Sequence, residues 1–226
     1  GAAAVRFFGA VLGFFTCCTL EHIHVRQSVG CNHLCYPLSD SQALLGADLA
    51  HRTHGAISLA TGRTPLRLYQ ELIRLHRDEG LDFSRITTFN LDEYVGLAGT
   101  HDQSYRYFMR ENFFRHINIY PQRTHVPDGT AANLHAECRS YEQRILDAGG
   151  IDIQLLGLGR NGHIGFNEPS SSLGSRTRIA RLSHNTLAAN QRFFPPGARQ
   201  PGWAITMGIQ TILESRQIVL LALGAQ

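Results

Sequence analysis

The sequence predicts an α/β fold: a three-layer, mostly parallel open sheet with helices on both faces, Rossmann-like in layout. Three observations carry this expectation. Short apolar runs alternate along the chain with longer segments of helical period. Each run passes within a few residues into a small or polar loop, where an open α/β sheet places its chemistry. No internal repeat or long linker interrupts residues 34–226, so they form one domain, and residues 1–33 are set apart as an N-terminal extension.

The elements follow in order. Gly1 to Leu20 is mostly apolar with one charge, at Arg6, but glycines and alanines dilute it and no stop-transfer cluster follows. It reads as an N-terminal extension outside the mature fold, with a signal-peptide remnant or a membrane span as the alternatives. Residues 21–33 carry no clear period. Leu34–Leu38 is a short edge strand, because Pro37 is poorly tolerated in a central one. Ser39 caps a helix reaching Arg52. Ala56–Ala60 is a small buried strand. Thr64-Pro65 opens the next helix, a capping hydroxyl before a proline at the first helical position. Leu68, Tyr69, Leu72 and Leu75 or His76 line its inner face and Gly80 stops it.

Ile86–Leu91 is the next strand and ends in Asp92-Glu93-Tyr94; a helix follows over His101–Phe114. Val126–Gly129 is loop. Leu134, Cys138, Tyr141, Ile145 and Ala148 recur at alternating spacings of four and three, the clearest amphipathic helix in the chain. Gly149-Gly150 ends it, and Ile151–Leu156 forms a strand. Ser170–Arg181 is irregular or a short element. Ser183–Phe194 is helical, terminated by Pro195-Pro196. Trp203–Met207 is a strand, Met207–Leu213 a short helix, and Arg216–Gly224 a last buried strand.

Composition narrows the chemistry. The net charge of +3 is too small to argue for nucleic acid. All 21 basic residues are arginines. A Schiff base on a lysine of this chain is excluded, and so is a P-loop with its phosphate-reaching lysine. An anion must be held by arginine, hydroxyls or backbone N–H groups. Five cysteines (Cys17, Cys18, Cys31, Cys35 and Cys138) make an odd count, with one in the C-terminal two thirds. They read as free thiols of a reducing compartment. A metal held by Cys31 and Cys35 with nearby histidines is the weaker alternative.

Three constellations could carry chemistry. Thr61-Gly62-Arg63-Thr64-Pro65 joins a strand end to a helix start, where Gly62 permits close approach and the turn's N–H groups can cradle a phosphate. Taken alone, the Thr-Pro pair is simply a helix start. Asp92 and Glu93 follow an apolar strand; one is a candidate general base and the other serves helix entry, with Asp92, first off the strand, the choice for chemistry. Asn161, His163 and Glu168 stand among the glycines that follow Leu156. Asn161 can orient a hydroxyl, His163 can move a proton near neutral pH, and Glu168 can fix the imidazole tautomer. Nothing there has zinc-site spacing. Arg176, Arg178 and Arg192 follow, and Arg192 precedes Phe193-Phe194, aromatics that could brace it as a phosphate clamp. Surface solvation is the default for each arginine alone.

Four segments resemble the glucosamine-6-phosphate deaminases (glucosamine/galactosamine-6-phosphate isomerase family): Thr61–Pro65, Phe89–Leu97, Gly157–Pro169 and, more weakly, Ala189–Phe194. The resemblance runs from Leu34 to the chain end. It implies isomerisation of glucosamine 6-phosphate with loss of ammonia, giving fructose 6-phosphate, in cytoplasmic amino sugar catabolism and without metal or other cofactor. Carried over, Asp92 moves the proton between sugar C2 and C1. His163 assists ring opening, oriented by Glu168, with Asn161 where many members have Asp. Gly62, Thr64 and Arg192 grip the phosphate. Arg63 stands where the family usually has Gly or Ser, and either strengthens that grip or occludes it. Ser171 and Arg178 match parts of a regulatory site, but Ala180 replaces its lysine, so strong activation by N-acetylglucosamine 6-phosphate is not expected. The family usually continues past Gln226 with a phosphate-contacting lysine, so the expectation is a C-terminally incomplete domain of weak activity. Members range from monomers to hexamers, which leaves a homo-oligomer open; no nucleic-acid or membrane partner is implied.

Two rivals remain. A 6-phosphogluconolactonase shares the fold and a sugar-phosphate site but hydrolyses a lactone and releases no ammonia. A sugar-phosphate-binding module without turnover is the second, and the presence of Asp92 and His163 counts against it.

Overall fold

The computed structural model describes residues 22–27, 33–37, 54–159, 162–195, 197 and 200–222. The helix expected over Ser39–Arg52, the apolar Gly1–Leu20 segment and Cys17, Cys18 and Cys31 lie outside them. Ten strands are described: β1 His22–Gln27, β2 His33–Pro37, β3 Gly55–Leu59, β4 Ile86–Asn90, β5 Asp92–Tyr94, β6 Thr124–His125, β7 Ile153–Gly157, β8 Arg178–Arg181, β9 Trp203–Thr206 and β10 Gln217–Ala222. The described helices are α1 Leu66–Glu79, α2 Tyr105–Asn112, α3 Leu134–Asp147, α4 His184–Asn190 and α5 Ile209–Leu213. Among the described residues no helix is long and apolar enough to cross a membrane.

The main sheet has seven strands in the order β2-β1-β10-β7-β3-β4-β6. Pairings from β10 through β6 are parallel, and β1 and β2 add antiparallel at one edge. The Pro37 strand is the outermost, as its proline requires. β1 lies where the sequence showed no period.

Both faces of the sheet are covered. Ile57, Leu59, Ile153 and Leu155 pack with Leu68, Tyr69 and Leu72 of α1 and Met109 of α2. Ala56, Phe89 and Leu156 pack on the other face with Tyr141 and Ile145 of α3 and Ile212 of α5. Alternate residues of one strand thus serve two layers. A smaller antiparallel sheet, β5-β9-β8, sits beside the main one with its own apolar cluster of Tyr94, Phe166, Leu182, Phe194 and Ala204.

The chain reveals where a ligand belongs. From β3 it moves outward through β4 to β6, then returns to the far side of β3 as β7 and continues to β10. The order reverses between β3 and β7, and the crevice outside the carboxyl ends of strands at such a point is where open α/β sheets bind ligands. Thr61–Pro65 follows β3, and the Gly157–Pro169 segment begins at the end of β7.

Several local expectations change. α1 begins at Leu66 with Pro65 as its N-cap, and the Thr64 hydroxyl makes no capping bond. Its end is as expected: Gly80 takes a left-handed φ of 76°, and Leu81 N–H donates to Leu75 O. α2 starts at Tyr105 rather than His101, because Ser104 caps it by accepting from the Tyr107 N–H. Asp92–Tyr94 is a strand of its own, paired with β9, rather than a strand tip. The Ser170–Arg181 segment contains β8, and α4 gives way to a 3-10 turn over Gln191–Phe193 before the prolines.

Candidate active site

Three of the four family-like segments touch one another at this rim, and the first leaves the neighbouring strand. The first two are joined by β3–β4 pairing, which sets Leu59 beside Asn90, and by the Leu91 N–H donating to Leu59 O. The second and third meet at Gly165. Its φ is +58°, and a β-carbon built there would lie 3.2 Å from Asp92 Oδ2 and 3.1 Å from Thr206 Oγ1. The loop backbone therefore passes directly over the Asp92 carboxylate, two residues after His163. The second and fourth are joined through Tyr94, whose hydroxyl accepts from Asn190 Nδ2 at 3.0 Å and whose ring packs on Phe194 at 5.8 Å between centroids.

The two adjacent acids have opposite surroundings. Successive residues of β5 point to opposite faces. Asp92 is 5% exposed and Glu93 2%. The Glu93 carboxylate accepts from Ser104 Oγ (2.7 Å) and from the N–H groups of Tyr94 (2.8 Å), Tyr105 (3.0 Å) and Arg106 (3.1 Å). It fills the donors at the start of α2. Burial raises its pKa, and these bonds to the charged form pull the other way. Asp92 has no such compensation. Burial first, then the Glu93 charge, push it up to about 8. A carboxylate with free acceptor capacity and a pKa in the neutral range is suited to accept a proton from carbon.

The loop after β7 is closed on itself. Gly159 N–H donates to His163 O at 2.9 Å, and Gly162 N–H donates to Gly159 O at 2.9 Å. The His163 ring lies where a β-carbon of residue 159 would be, so Gly159 is required by close approach. Burial holds the imidazole below its ordinary pKa, and the Glu168 charge pushes it up. It is poised as a neutral group able to exchange a proton. Glu168 accepts from the Thr186 hydroxyl at 2.9 Å, which ties the loop to the first turn of α4. Asn161 lies outside the described residues.

Asn167 pins this loop, a role not anticipated from sequence. It is fully buried; its Nδ2 donates to Ile164 O (2.9 Å) and Met207 O (2.8 Å), and its Oδ1 accepts from Arg178 at 2.6 Å. Thr206 adds a second pin by accepting from the Phe166 N–H at 3.1 Å. The signal in the sequence was a short amide beside Ile164 and Phe166, apolar residues that the loop buries.

The phosphate candidates are arranged more openly. Gly62 adopts φ +109° with open space above it. Arg63 is exposed and Thr64 half-buried at the foot of α1. The Arg192 guanidinium lies over the Phe193 ring, 4.8 Å from its centroid, as the expected aromatic brace. No hydrogen bond or ion pair joins Arg192 to the Thr61–Pro65 loop among the described residues. Arg176 is committed elsewhere, paired with Glu214. Arg178 also donates to Ser171 Oγ at 3.2 Å, and burial lowers its pKa. Among the described residues no group of three His, Cys, Asp or Glu side chains is placed to hold a metal. Cys138 is buried and unpaired.

Comparison with known proteins shows the family. The family model of glucosamine-6-phosphate isomerases/6-phosphogluconolactonase matches residues 39–226. Glucosamine-6-phosphate deaminase of Shewanella halifaxensis (strain HAW-EB4) is 57% identical over 176 residues, covering 78% of this chain and 67% of the relative. The protein of that name from Halothermothrix orenii is 49% identical over 181 residues, covering 80% and 75%. A solved monomeric glucosamine-6-phosphate deaminase superposes with a TM-score of 0.75 at 50% identity, covering 79% of this chain and 74% of its own. The 6-phosphogluconolactonase of Thermotoga maritima shares the fold, with a TM-score of 0.57 at 21% identity over 76% and 72% of the two chains. Matched over residues 39–226, which hold all four rim segments, the chain belongs to the glucosamine-6-phosphate isomerase/6-phosphogluconolactonase family.

Proposed function

We propose that this chain converts glucosamine 6-phosphate and water into fructose 6-phosphate and ammonia. The observation that carries the reading is the buried Asp92 carboxylate, without compensating donors, lying against the loop that holds His163. Relatives of about half identical sequence bear the name of this activity. The likeness to lactonases is one of fold, which favours the deaminase over the hydrolase reading.

The chemistry follows from the arrangement. The phosphate is held by N–H groups of the Gly62–Thr64 turn, by the Thr64 hydroxyl, and by Arg63 and Arg192. His163, neutral when buried, moves a proton between the ring and anomeric oxygens to open the sugar, with Glu168 setting its tautomer and Asn161 orienting a hydroxyl. Asp92 then takes the proton from C2 and returns it to C1 through an enediol-like intermediate. The substrate carries an ammonium on C2. That positive charge favours the ionised form of Asp92, so binding lowers the raised pKa and readies the base. The C2 iminium so formed adds the substrate water, and the C2–N bond then breaks, releasing ammonia and leaving the C2 ketone of fructose 6-phosphate. Ser171 and Arg178 are proposed to be the remnant of a regulatory site, and the protein to work in the cytoplasm. A solved relative is described as monomeric, which supports a site complete in one copy; light scattering distinguishes this from a homo-oligomer.

The test is ammonia release from glucosamine 6-phosphate, with 6-phosphogluconolactone as the competing substrate. Release that falls at least a thousandfold in Asp92→Asn supports the reading. Lactone hydrolysis without ammonia release, or equal rates in the variant, overturns it.

A further inference from the structure

We infer that Glu93 is a positioning residue for Asp92: its carboxylate ties β5 to the first turn of α2 and so aims the neighbouring acid at Gly165 and the sugar carbon beyond. The inference rests on the proposed role of Asp92. Its own basis is the asymmetry of two consecutive buried acids. One carboxylate accepts four hydrogen bonds, three of them from Ser104, Tyr105 and Arg106. The other accepts none from a described group. β5 has three residues and pairs with β9 at the edge of the small sheet, and Glu93 adds to that pairing a direct tie from its own face of the strand to the start of α2. Rolling of β5 would swing Asp92 off its contact with Gly165. A helix cap alone does not require a charge beside a catalytic acid, because Ser104 already caps α2. Glu93 thus does two things at once: it holds the strand, and it sets a like charge next to the base.

The groups facing Asp92 define what a pH profile reports. Tyr94 lies on its own strand, Tyr105 on α2 and Tyr141 on α3, and burial raises all three well above the neutral range. His163 stands on the loop packed against it, and Arg178 lies in register across β9, since both Asp92 and Arg178 pair with Thr206. The tyrosines stay neutral and Arg178 stays charged near pH 7, which leaves Glu93 and His163 as the variable neighbours.

Two variants separate the charge from the tether. Glu93→Gln keeps the length and removes the charge. It is expected to lower kcat about tenfold with KM within about twofold, and to move the acid limb of the kcat/KM profile down by about one pH unit. Glu93→Asp keeps the charge but is too short to reach Ser104–Arg106. It is expected to lose as much kcat with no downward shift of the limb. Wild-type kcat and an unshifted limb in both variants overturn the inference. If wild-type protein releases no ammonia from glucosamine 6-phosphate, the proposed function fails instead. The inference is then read from the carboxyl-carbon NMR titration of Asp92, where an unchanged midpoint in Glu93→Gln overturns it and a lowered one supports it. If Glu93→Gln does not fold, Ser104→Ala removes one donor and leaves both acids. A several-fold loss of kcat at unchanged KM supports the tether, and unchanged kcat overturns it.

Discussion

Replacing Asp92 by Asn should stabilise the ligand-free protein, and by an amount that grows with pH. In the unfolded chain Asp92 titrates near its ordinary value of 3.8, whereas in the folded chain burial and Glu93 hold it near 8. The sign follows from proton binding. Between these values the folded state keeps a proton that the unfolded state has released, so unfolding becomes easier as pH rises. The contribution is fully present below about pH 4, declines across the window and is exhausted above about pH 8. Each unit is worth about 1.4 kcal/mol, so at pH 7 wild-type protein has lost about 4 kcal/mol that an uncharged amide does not lose. That is a large part of the ~5–15 kcal/mol by which domains are stable. The assay is urea unfolding of both proteins at several values between pH 4 and pH 9. The stability gap in favour of the variant should widen through pH 4–8 and then level off, while ammonia release is abolished. A gap independent of pH would show that Asp92 is not held protonated, and the account of its tuning would fall.

Three further outcomes follow from the same geometry. Gly159→Ala places a methyl group where the His163 ring lies and should cost about a hundredfold in kcat, measured by initial rates, with little change in melting temperature. Asn167→Ala removes the side-chain donor to Met207 O and the acceptor of Arg178, and leaves Ile164 O with the residue 167 N–H alone; urea unfolding should show a loss of about 2–4 kcal/mol. Arg192→Ala should raise KM for the sugar phosphate about a hundredfold with a much smaller change in kcat; a fall in kcat at constant KM would remove Arg192 from the phosphate site.

The elements that were legible in the sequence are those whose own residues carry a period. α3 shows it in Cys138, Tyr141 and Ile145, which are buried, while Leu134 of the same series is half-buried and Ala148 is exposed at the helix end; α1 shows it in Leu68, Tyr69 and Leu72, with Leu75 and His76 half-buried. The strands β3, β4 and β7 show it as short apolar runs. β6 has two residues and β5 three, too few for any period, and both exist because a neighbour offers them hydrogen bonds. β8, Arg-Ile-Ala-Arg, has a charged residue at each end and becomes a strand through pairing with β9. A threonine before a proline has the composition of a cap, but at the start of α1 the Thr64 hydroxyl is not used as one. The candidate site shows the same division. His163 and Asp92 were visible as reactive types at strand ends. Asn167 was not, because what distinguishes it is its hydrogen bonds to Ile164, Met207 and Arg178, two of them farther along the chain.

The adjacent pair Asp92-Glu93 shows why chemistry at this rim depends on register more than on residue type. Side chains alternate along a strand, so a slip of one residue between β5 and β9 would exchange the two acids between the pocket and the helix start. Composition would be unchanged, yet the carboxylate without donors would now be the longer one, and the aspartate would sit too far from Ser104 to cap α2. Three independent contacts oppose this slip: Asp92 opposite Thr206 in the small sheet, Gly165 packed over the Asp92 carboxylate, and the four donors that fit Glu93 alone. The double exchange Asp92→Glu with Glu93→Asp therefore keeps every charge and should still lose activity by at least a hundredfold in the ammonia assay. Retained activity in that exchange would mean that any carboxylate near this position suffices and that the register of β5 has no catalytic consequence.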